Sequence, residues 1–315
     1  MIAVVGHRYC YVMNFTSPLL PLVTIAIPTY NRAKGYLQQA LASARAQTYV
    51  NLEILVSDSA SIDDTEQFVT AFADPRVRYH KHAANIGANN NFNFCVQQAR
   101  GEYLVLLHDD DMIDSDFVEC CVKAAGKHPT AGLIRTGTRV VDASGEVVSQ
   151  FSNHAGGLPF DEFVLAWFAG KTAMYLCSTL FRTHLLQELG GFHSKHNLLQ
   201  DVMAEVAIAA RHGRADLADV KATFRIHEAE MSFASGIREW CEDSLLLLDL
   251  ICSLAPQSEV ILRRNGRRFF AKGSYYWASQ TKRSIKRFHA NLTVFRMYGY
   301  RYPPSLMGMP TRTGI

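Results

Sequence analysis

The feature that most constrains this chain is a rhythm. Between residues 22 and 136, short apolar runs alternate with stretches whose apolar residues recur at helical spacing. Residues 23–27, 52–56, 77–82, 103–107 and 133–136 read as strands. Leu37, Leu41 and Ala44 mark a helix between the first two strands, and helices follow over 65–72, 91–99 and 116–127. β-Branched and apolar runs bounded by proline or turn residues suit strands buried on both faces. Helices between successive strands are the crossovers that parallel pairing requires. The expectation is an α/β fold: a mostly parallel central sheet with helices on both faces. In such sheets ligands bind beyond the carboxyl ends of the strands. The residues there are Pro28-Thr29-Tyr30-Asn31-Arg32, Ser57-Asp58-Ser59 and His108-Asp109-Asp110-Asp111.

Past residue 150 the pattern loosens. A helix over 160–168, a strand over 175–181, the turn Gly190-Gly191-Phe192 and a helix over 201–212 are expected. After Ser232 the chain reads as helical, with Pro256 a break between two helices. Three parts follow: an N-terminal arm (1–21) without clear periodicity, in which Met13 offers a second start, an α/β domain (22–235) and a helical, basic C-terminal extension (236–315).

The Asp109-Asp110-Asp111 triplet directly follows an apolar strand. In an extended segment Asp109 and Asp111 share a face and Asp110 takes the other. Clustered carboxylates repel one another unless a cation neutralises them. Hard oxygen ligands suit Mg²⁺ or Mn²⁺, usually shared with substrate phosphates. Aspartates at a helix start also cap amides, so the triplet alone carries both readings. Asp58 reads as a turn or cap residue, or as an acceptor for the ring N–H of uracil, thymine or guanine. Asp201, ahead of an apolar-periodic helix, is an N-cap or a functional carboxylate. His227 is a partly buried histidine or a ligand. Trp167 and Tyr175 read as core, and Cys120-Cys121 as helix packing.

Ile27-Pro28-Thr29-Tyr30-Asn31-Arg32 and Val56-Ser57-Asp58-Ser59 through Asp63-Asp64-Thr65 resemble the opening of the inverting glycosyltransferases of family 2, which have the GT-A (Rossmann-like) fold. Further matches follow in order: Asn85-Ile86-Gly87, Ala99-Arg100-Gly101-Glu102-Tyr103, Leu106-Leu107-His108-Asp109-Asp110-Asp111, Gly190-Gly191-Phe192 with Gln200-Asp201, and Phe224-Arg225-Ile226-His227 with Ser232. Each match alone is weak, whereas their shared order is specific. It covers roughly residues 22–232.

The resemblance implies a donor sugar on UDP, dTDP or GDP, an acceptor hydroxyl on a glycan or lipid-linked glycan, and Mg²⁺ or Mn²⁺. It places Pro28, Thr29, Tyr30, Arg32 and Asn85 near the nucleotide and Asp58 at the base. Asp109 lies toward the ribose, with Asp110 among the nucleotide contacts. Asp111 reaches the metal, His227 contacts the metal or diphosphate, and Asp201 is the general base. The chain departs from the pattern twice. Gln200 stands where many members carry an acid, and His108 where some carry the first acid of the triplet motif. In the register His108-Asp109-Asp110 the ribose and metal roles move by one residue.

The formal charge of +3 hides an asymmetry. From Val260 to Ile315 there are twelve Lys and Arg and no Asp or Glu, while the preceding 259 residues carry a net −9. A basic segment beside aromatic residues suits an anionic membrane surface or a lipid diphosphate, or packs as a solvated helical face. No nucleic-acid-binding module accompanies it, so nucleic acid is not an expected partner. No apolar run approaches the roughly 18–20 residues that span a bilayer. Seven cysteines, with no C-x-x-C pair, read as reduced thiols in a cytoplasmic protein, peripheral at most to the inner membrane face. A nucleotidyltransferase would need a glycine-rich phosphate loop after the first strand, where this chain has Pro28-Thr29-Tyr30-Asn31-Arg32. A non-catalytic nucleotide-sugar or glycan-binding protein on the same fold is the other alternative.

Overall fold

The computed structural model describes residues 20–227, 236–281 and 284–299. Most of the expected arm, Met13 included, and Ser232, Lys282, Arg283, Arg301 and Arg312 lie outside the described residues.

The first half follows the rhythm of the sequence. It runs β1 (Val23–Thr29), α1 (Tyr36–Arg45), β2 (Leu52–Asp58), α2 (Thr65–Thr70), β3 (Val77–Lys81), α3 (Ala88–Gln98) and β4 (Tyr103–Leu106). These four strands are parallel, in the order β3-β2-β1-β4. Successive residues of a strand point to opposite faces, and in β1, β2 and β4 both faces are buried. Val23, Ile25, Ile27, Ile54, Val56 and Val105 enter one apolar core with Leu37 and Leu41 of α1. Ala26, Leu55, Leu104 and Leu106 enter the other. Leu37 and Leu41, each fully buried, contribute about 1.5–3 kcal/mol apiece.

The α3–β4 connection shows why glycine follows Arg100. A Cβ on Gly101 would stand 2.5 Å from the Thr24 backbone nitrogen, so only glycine lets this segment lie against β1. The Gly101 N–H then donates to Thr24 Oγ1 (2.9 Å) and the Arg100 N–H to Glu53 Oε1 (2.7 Å).

The second half is mixed. β5 (Met112–Ile113), α4 (Phe117–Lys127), β6 (Leu133–Val141), β7 (Val147–Phe151) and α5 (Phe160–Phe168) lead to β8 (Thr179–Arg182). The strand expected over 175–181 starts only at Thr179, because Leu176–Ser178 form a 3-10 turn. β8 enters the sheet from the carboxyl end of β4 and so runs antiparallel to both β4 and β6. After α6 (Thr183–Glu188) and α7 (Gln200–His212) comes β9 (Arg214–Arg225), a strand absent from the sequence reading. It pairs in parallel with β6 and antiparallel with β5. The full order is β3-β2-β1-β4-β8-β6-β9-β5, with β7 beside β6.

Of the helices α8 (Ile237–Leu254), α9 (Glu259–Ser279) and α10 (Ser284–Met297), α8 packs on α7 and α9 on α5, while α10 packs on α8 and α9. Trp167 and Phe168 of α5 meet Phe269 and Phe270 of α9 at ring separations of 5.0–5.8 Å. One apolar cluster runs from Leu104 through Trp167 to Leu248, Phe270 and Val294. Among the described residues no single helix is long and apolar enough to cross a membrane.

Candidate functional site

The β1–β4 pairing ends at Ala26 and Leu106, and beyond it the two strands part. Pro28, which has no N–H to offer a ladder, falls just past this point. A cleft of about 780 Å³ opens there. It is lined by Pro28, Thr29, Tyr30, Arg32 and Asn85, by His108 through Asp111, and by Asp201, so nine of the eleven residues named from the sequence line it.

The other two lie behind the wall. Asp58 is fully buried; Oδ1 accepts from the Ser61 N–H (2.8 Å) and hydroxyl (2.5 Å), and Oδ2 from the Tyr79 hydroxyl (2.5 Å). It therefore closes the turn after β2, where Ala60 takes φ +62°. His227, two residues beyond β9, sets Nε2 2.8 Å from Asp110 Oδ2.

The aspartates of the triplet have different partners. Asp109 Oδ2 accepts from the Thr29 hydroxyl (2.7 Å), which fixes the triplet to the end of β1. Burial and the neighbouring Asp110 charge push its carboxyl up to about 7. Asp110 is also desolvated, but its hydrogen bond with His227 and the nearby His108 hold it below the usual carboxylate range. Asp111 is almost fully buried and accepts the Arg225 backbone N–H on Oδ1 (3.0 Å). Ligand atoms of His108, Asp110 and Asp111 lie within 4.8 Å of one another. Two carboxylates and an imidazole at that spacing fit a hard or borderline divalent cation such as Mg²⁺ or Mn²⁺.

Asp201 stands on the opposite wall, in the first turn of α7. The N-cap is Leu199, so Asp201 is not the capping residue. Burial raises its carboxyl, while the Val202 N–H and His108 pull the other way. A carboxyl raised by desolvation in a cleft is the usual setting of a general acid or base. The preceding turn is fastened to α3: Gly190 and Gly191 take φ +86° and +94°, and a Cβ on Gly191 would overlap the Asn93 amide. That amide accepts from the Phe192 N–H (2.7 Å) and donates to its carbonyl (3.1 Å).

Below α7 lies a group of buried charges with no counterpart in the sequence reading. Arg135 is fully buried, with Nε 3.3 Å from Glu205 and Nη1 3.4 Å from Asp216, and it donates to the Ala173 carbonyl. Arg214 pairs with Asp216 at 2.8 Å. Burial pushes the Glu205 carboxyl up to about 7, with Arg135 opposing. Arg225 was also missed as a site residue. It donates to the Asp110 carbonyl (3.1 Å) and to Gln39 Oε1 (2.7 Å), and lies 4.5 Å from the Tyr36 ring centre. Its place between Phe224 and His227 was the available signal. Trp167 is core; Tyr175, largely buried, stacks on Phe224 at 4.6 Å, and both edge the cleft.

The sheet thus parts over a carboxylate triplet, and Asp201 lines the same cleft. The model of glycosyl transferase family 2 matches residues 24–190, and the chain belongs to that family. Chondroitin synthase of Escherichia coli is 35% identical over 136 residues, 42% of this chain and 20% of that protein. Hyaluronan synthase of Pasteurella multocida is 35% identical over 136 residues, 42% of this chain and 14% of that one. The chain thus matches a fifth or less of these relatives' length. Among solved structures, S. aureus TarS 1–349 in complex with UDP-GlcNAc superposes with a TM-score of 0.64 at 17% identity, covering 88% of this chain and 81% of that one. A mannosyltransferase from Pyrobaculum calidifontis in complex with GDP-Man and Mn²⁺ gives 0.60 at 19% identity, covering 92% and 84%. The fold is of the GT-A type.

Proposed function

We propose that this chain is a metal-dependent, inverting glycosyltransferase. It moves a sugar from a UDP-, dTDP- or GDP-linked donor to a hydroxyl of a glycan or lipid-linked acceptor, in the synthesis of a surface polysaccharide. The observation that carries the reading is that the Asp109–Asp111 triplet and Asp201 face one cleft at the carboxyl edge of the sheet.

The roles divide between the walls. Thr29, Tyr30 and Asn85 border the space for the nucleoside, and Arg32 brings positive charge beside Asp109 and Asp110. His108, Asp110 and Asp111 would hold Mg²⁺ or Mn²⁺, with His227 fixing Asp110. When bound, that ion supplies a Lewis acid that offsets the charge of the departing nucleoside diphosphate. Asp201 takes the proton of the acceptor hydroxyl as its oxygen bonds to the anomeric carbon and the bond from that carbon to the diphosphate breaks. The protein works in the cytoplasm, with the basic α9–α10 region against an anionic membrane surface.

The test is turnover. With UDP-, dTDP- and GDP-sugars and a panel of glycan acceptors, nucleotide release should require Mg²⁺ or Mn²⁺ and an acceptor. Metal-linked nucleotide binding without turnover anywhere in the panel would favour a non-catalytic nucleotide-sugar-binding protein. Absence of both would remove the reading altogether.

A further inference from the structure

Beyond residue 190, where the family match ends, a loop leads from Gly191 into α7, which carries Asp201 in its first turn. The place of that carboxylate in the cleft depends on how the loop is held. At its start the Asn93 amide bonds both backbone polar groups of Phe192. Its last stretch is held from the C-terminal side of the chain, by α8.

Asp243 of α8 is fully buried, and its partners are the hydroxyl and backbone donors of this one loop. Oδ2 accepts from the Ser194 hydroxyl (2.7 Å) and the Leu198 N–H (3.1 Å), and Oδ1 from the His196 N–H (3.1 Å). Between the two amides Asn197 takes φ +56°, a conformation that non-glycine residues seldom adopt. A left-handed residue there turns the flanking N–H groups toward one point, the concavity in which a backbone holds an anion. Here the anion is a side chain of the same protein. Glu242, next to it on α8, adds an outer contact to Lys195 Nζ (2.5 Å) and His196 Nε2 (2.9 Å).

The step from this loop to Asp201 is short and stiff. Leu199 is buried, and its carbonyl accepts the Met203 N–H (2.9 Å) as α7 begins. A shift at Leu198 is therefore passed to Asp201, three residues on. α8 also packs on α7 directly, since Leu247, Leu248 and Ile251 share an apolar cluster with Val202 and Val206. Packing alone does not call for a buried carboxylate, which is costly to desolvate and which apolar residues of similar volume often replace without loss. What the charge adds is direction: it fixes which way the two amides face, and so the path of the chain into α7.

We infer that Asp243 is a positioning residue for the transfer reaction: by holding Ser194, His196 and Leu198 it sets the place of the Asp201 carboxylate in the cleft. The inference rests on the reading of Asp201 as the base. It makes α8, a helix of the C-terminal extension, a working part of the catalytic unit.

The test compares full-length parent, Asp201→Asn, Asp243→Asn, Ser194→Ala and Asp249→Asn. It uses calorimetry with UDP and GDP in Mn²⁺, turnover on the donor and acceptor panel, and backbone hydrogen exchange read by peptide. Asp243→Asn should leave nucleotide Kd and donor KM unchanged and lower kcat about 10²-fold, the cost of misplacing a catalytic group by about an ångström. Exchange should rise in peptides covering 192–199 and stay unchanged in those from β1 and β2, because the opening is local. Ser194→Ala cuts the same contact more mildly and should act in the same direction to a smaller degree, which keeps the test decisive even where Asp243→Asn fails to fold. Asp249→Asn, on the same helix with its side chain 61% exposed, should change none of these readouts. A carboxylate that serves the fold alone would raise exchange throughout the protein and weaken nucleotide binding together with kcat. That result, a freed loop with undiminished kcat, or unchanged loop exchange overturns the inference. Full activity of Asp201→Asn, or no turnover by the parent anywhere in the panel, overturns the base reading and the inference with it, and does so without any change at Asp243.

Discussion

His227 Nε2 lies 2.8 Å from Asp110 Oδ2, although 117 residues separate them in the chain. Two residues earlier, the Arg225 N–H donates to Asp111. The end of β9 is thus pinned to the acidic triplet at two adjacent points, one polar contact to each of two candidate metal ligands. Asp110→Asn should weaken Mn²⁺-dependent nucleotide binding by at least tenfold in calorimetry. His227→Ala, which removes the group that orients Asp110, should cost about 10–100-fold. Binding that is equally strong with EDTA present would show that the triplet serves the fold alone.

Asp201 lines the same cleft as the triplet but comes from another element, α7. Asp201→Asn should therefore leave nucleotide Kd unchanged while kcat drops about 10²–10⁴-fold, the usual share of a general base. Burial raises its carboxyl, so the proton stays on to a higher pH than on an exposed aspartate. The base form is lost as pH falls through that raised value. A pH–rate profile should accordingly show an acidic limb with its midpoint above the roughly 3.9 of a free aspartate. Full activity of Asp201→Asn would remove it from the chemistry.

How much of this was legible in the residues depends on where the signal is local. β1, β2 and β4 bury both faces, so they announce themselves as apolar runs, and the ligand edge follows from their direction. β9 does not, because its exposed middle residues, Ala218 and Asp219, and the half-buried ones around them dilute any alternation. The triplet was visible as composition, but its register was not. Only the return of β9 distinguishes Asp110, facing His227, from Asp111, facing the Arg225 amide. At Asp58 the sequence offered a turn residue or a base contact, and the structure shows the turn, with Ser61 and Tyr79 donating to its two oxygens.

The Arg135–Glu205 pair predicts a pH dependence of stability. The Glu205 carboxyl is raised to about 7 in the folded protein, against about 4.3 in an unfolded chain. Between those values the folded state binds more protons than the unfolded one, so this group's contribution to stability declines as pH rises from about 4.5 to 7. Glu205→Gln removes that decline. Chemical denaturation should show the variant losing less stability than the parent between pH 5 and pH 8. Arg135→Met should cost about 3–5 kcal/mol at neutral pH, since it leaves Glu205 buried without its cation and Asp216 with Arg214 alone. Parallel pH curves for the parent and Glu205→Gln would mean that this carboxyl titrates normally.

The basic C-terminal region gives a prediction about where the protein resides. α9 shares a core with α5, so truncation near Pro256 would strip Phe269 and Phe270 from Trp167 and test folding rather than membrane affinity. Point variants avoid this. At the start of α10, Ile285 and Phe288 are 74% and 66% exposed, one helical turn apart, with Lys286 and Arg287 between them. Anionic lipid contributes roughly 1 kcal/mol per basic residue near the surface. Vesicles containing phosphatidylserine should therefore float the full-length protein, and neutral vesicles should not. Lys286→Glu with Arg287→Glu should reduce flotation and its salt sensitivity. Ile285→Ser with Phe288→Ser should reduce it at any salt concentration, because the apolar pair acts by burial rather than charge. Equal recovery with neutral and anionic vesicles would return this face to the solvent.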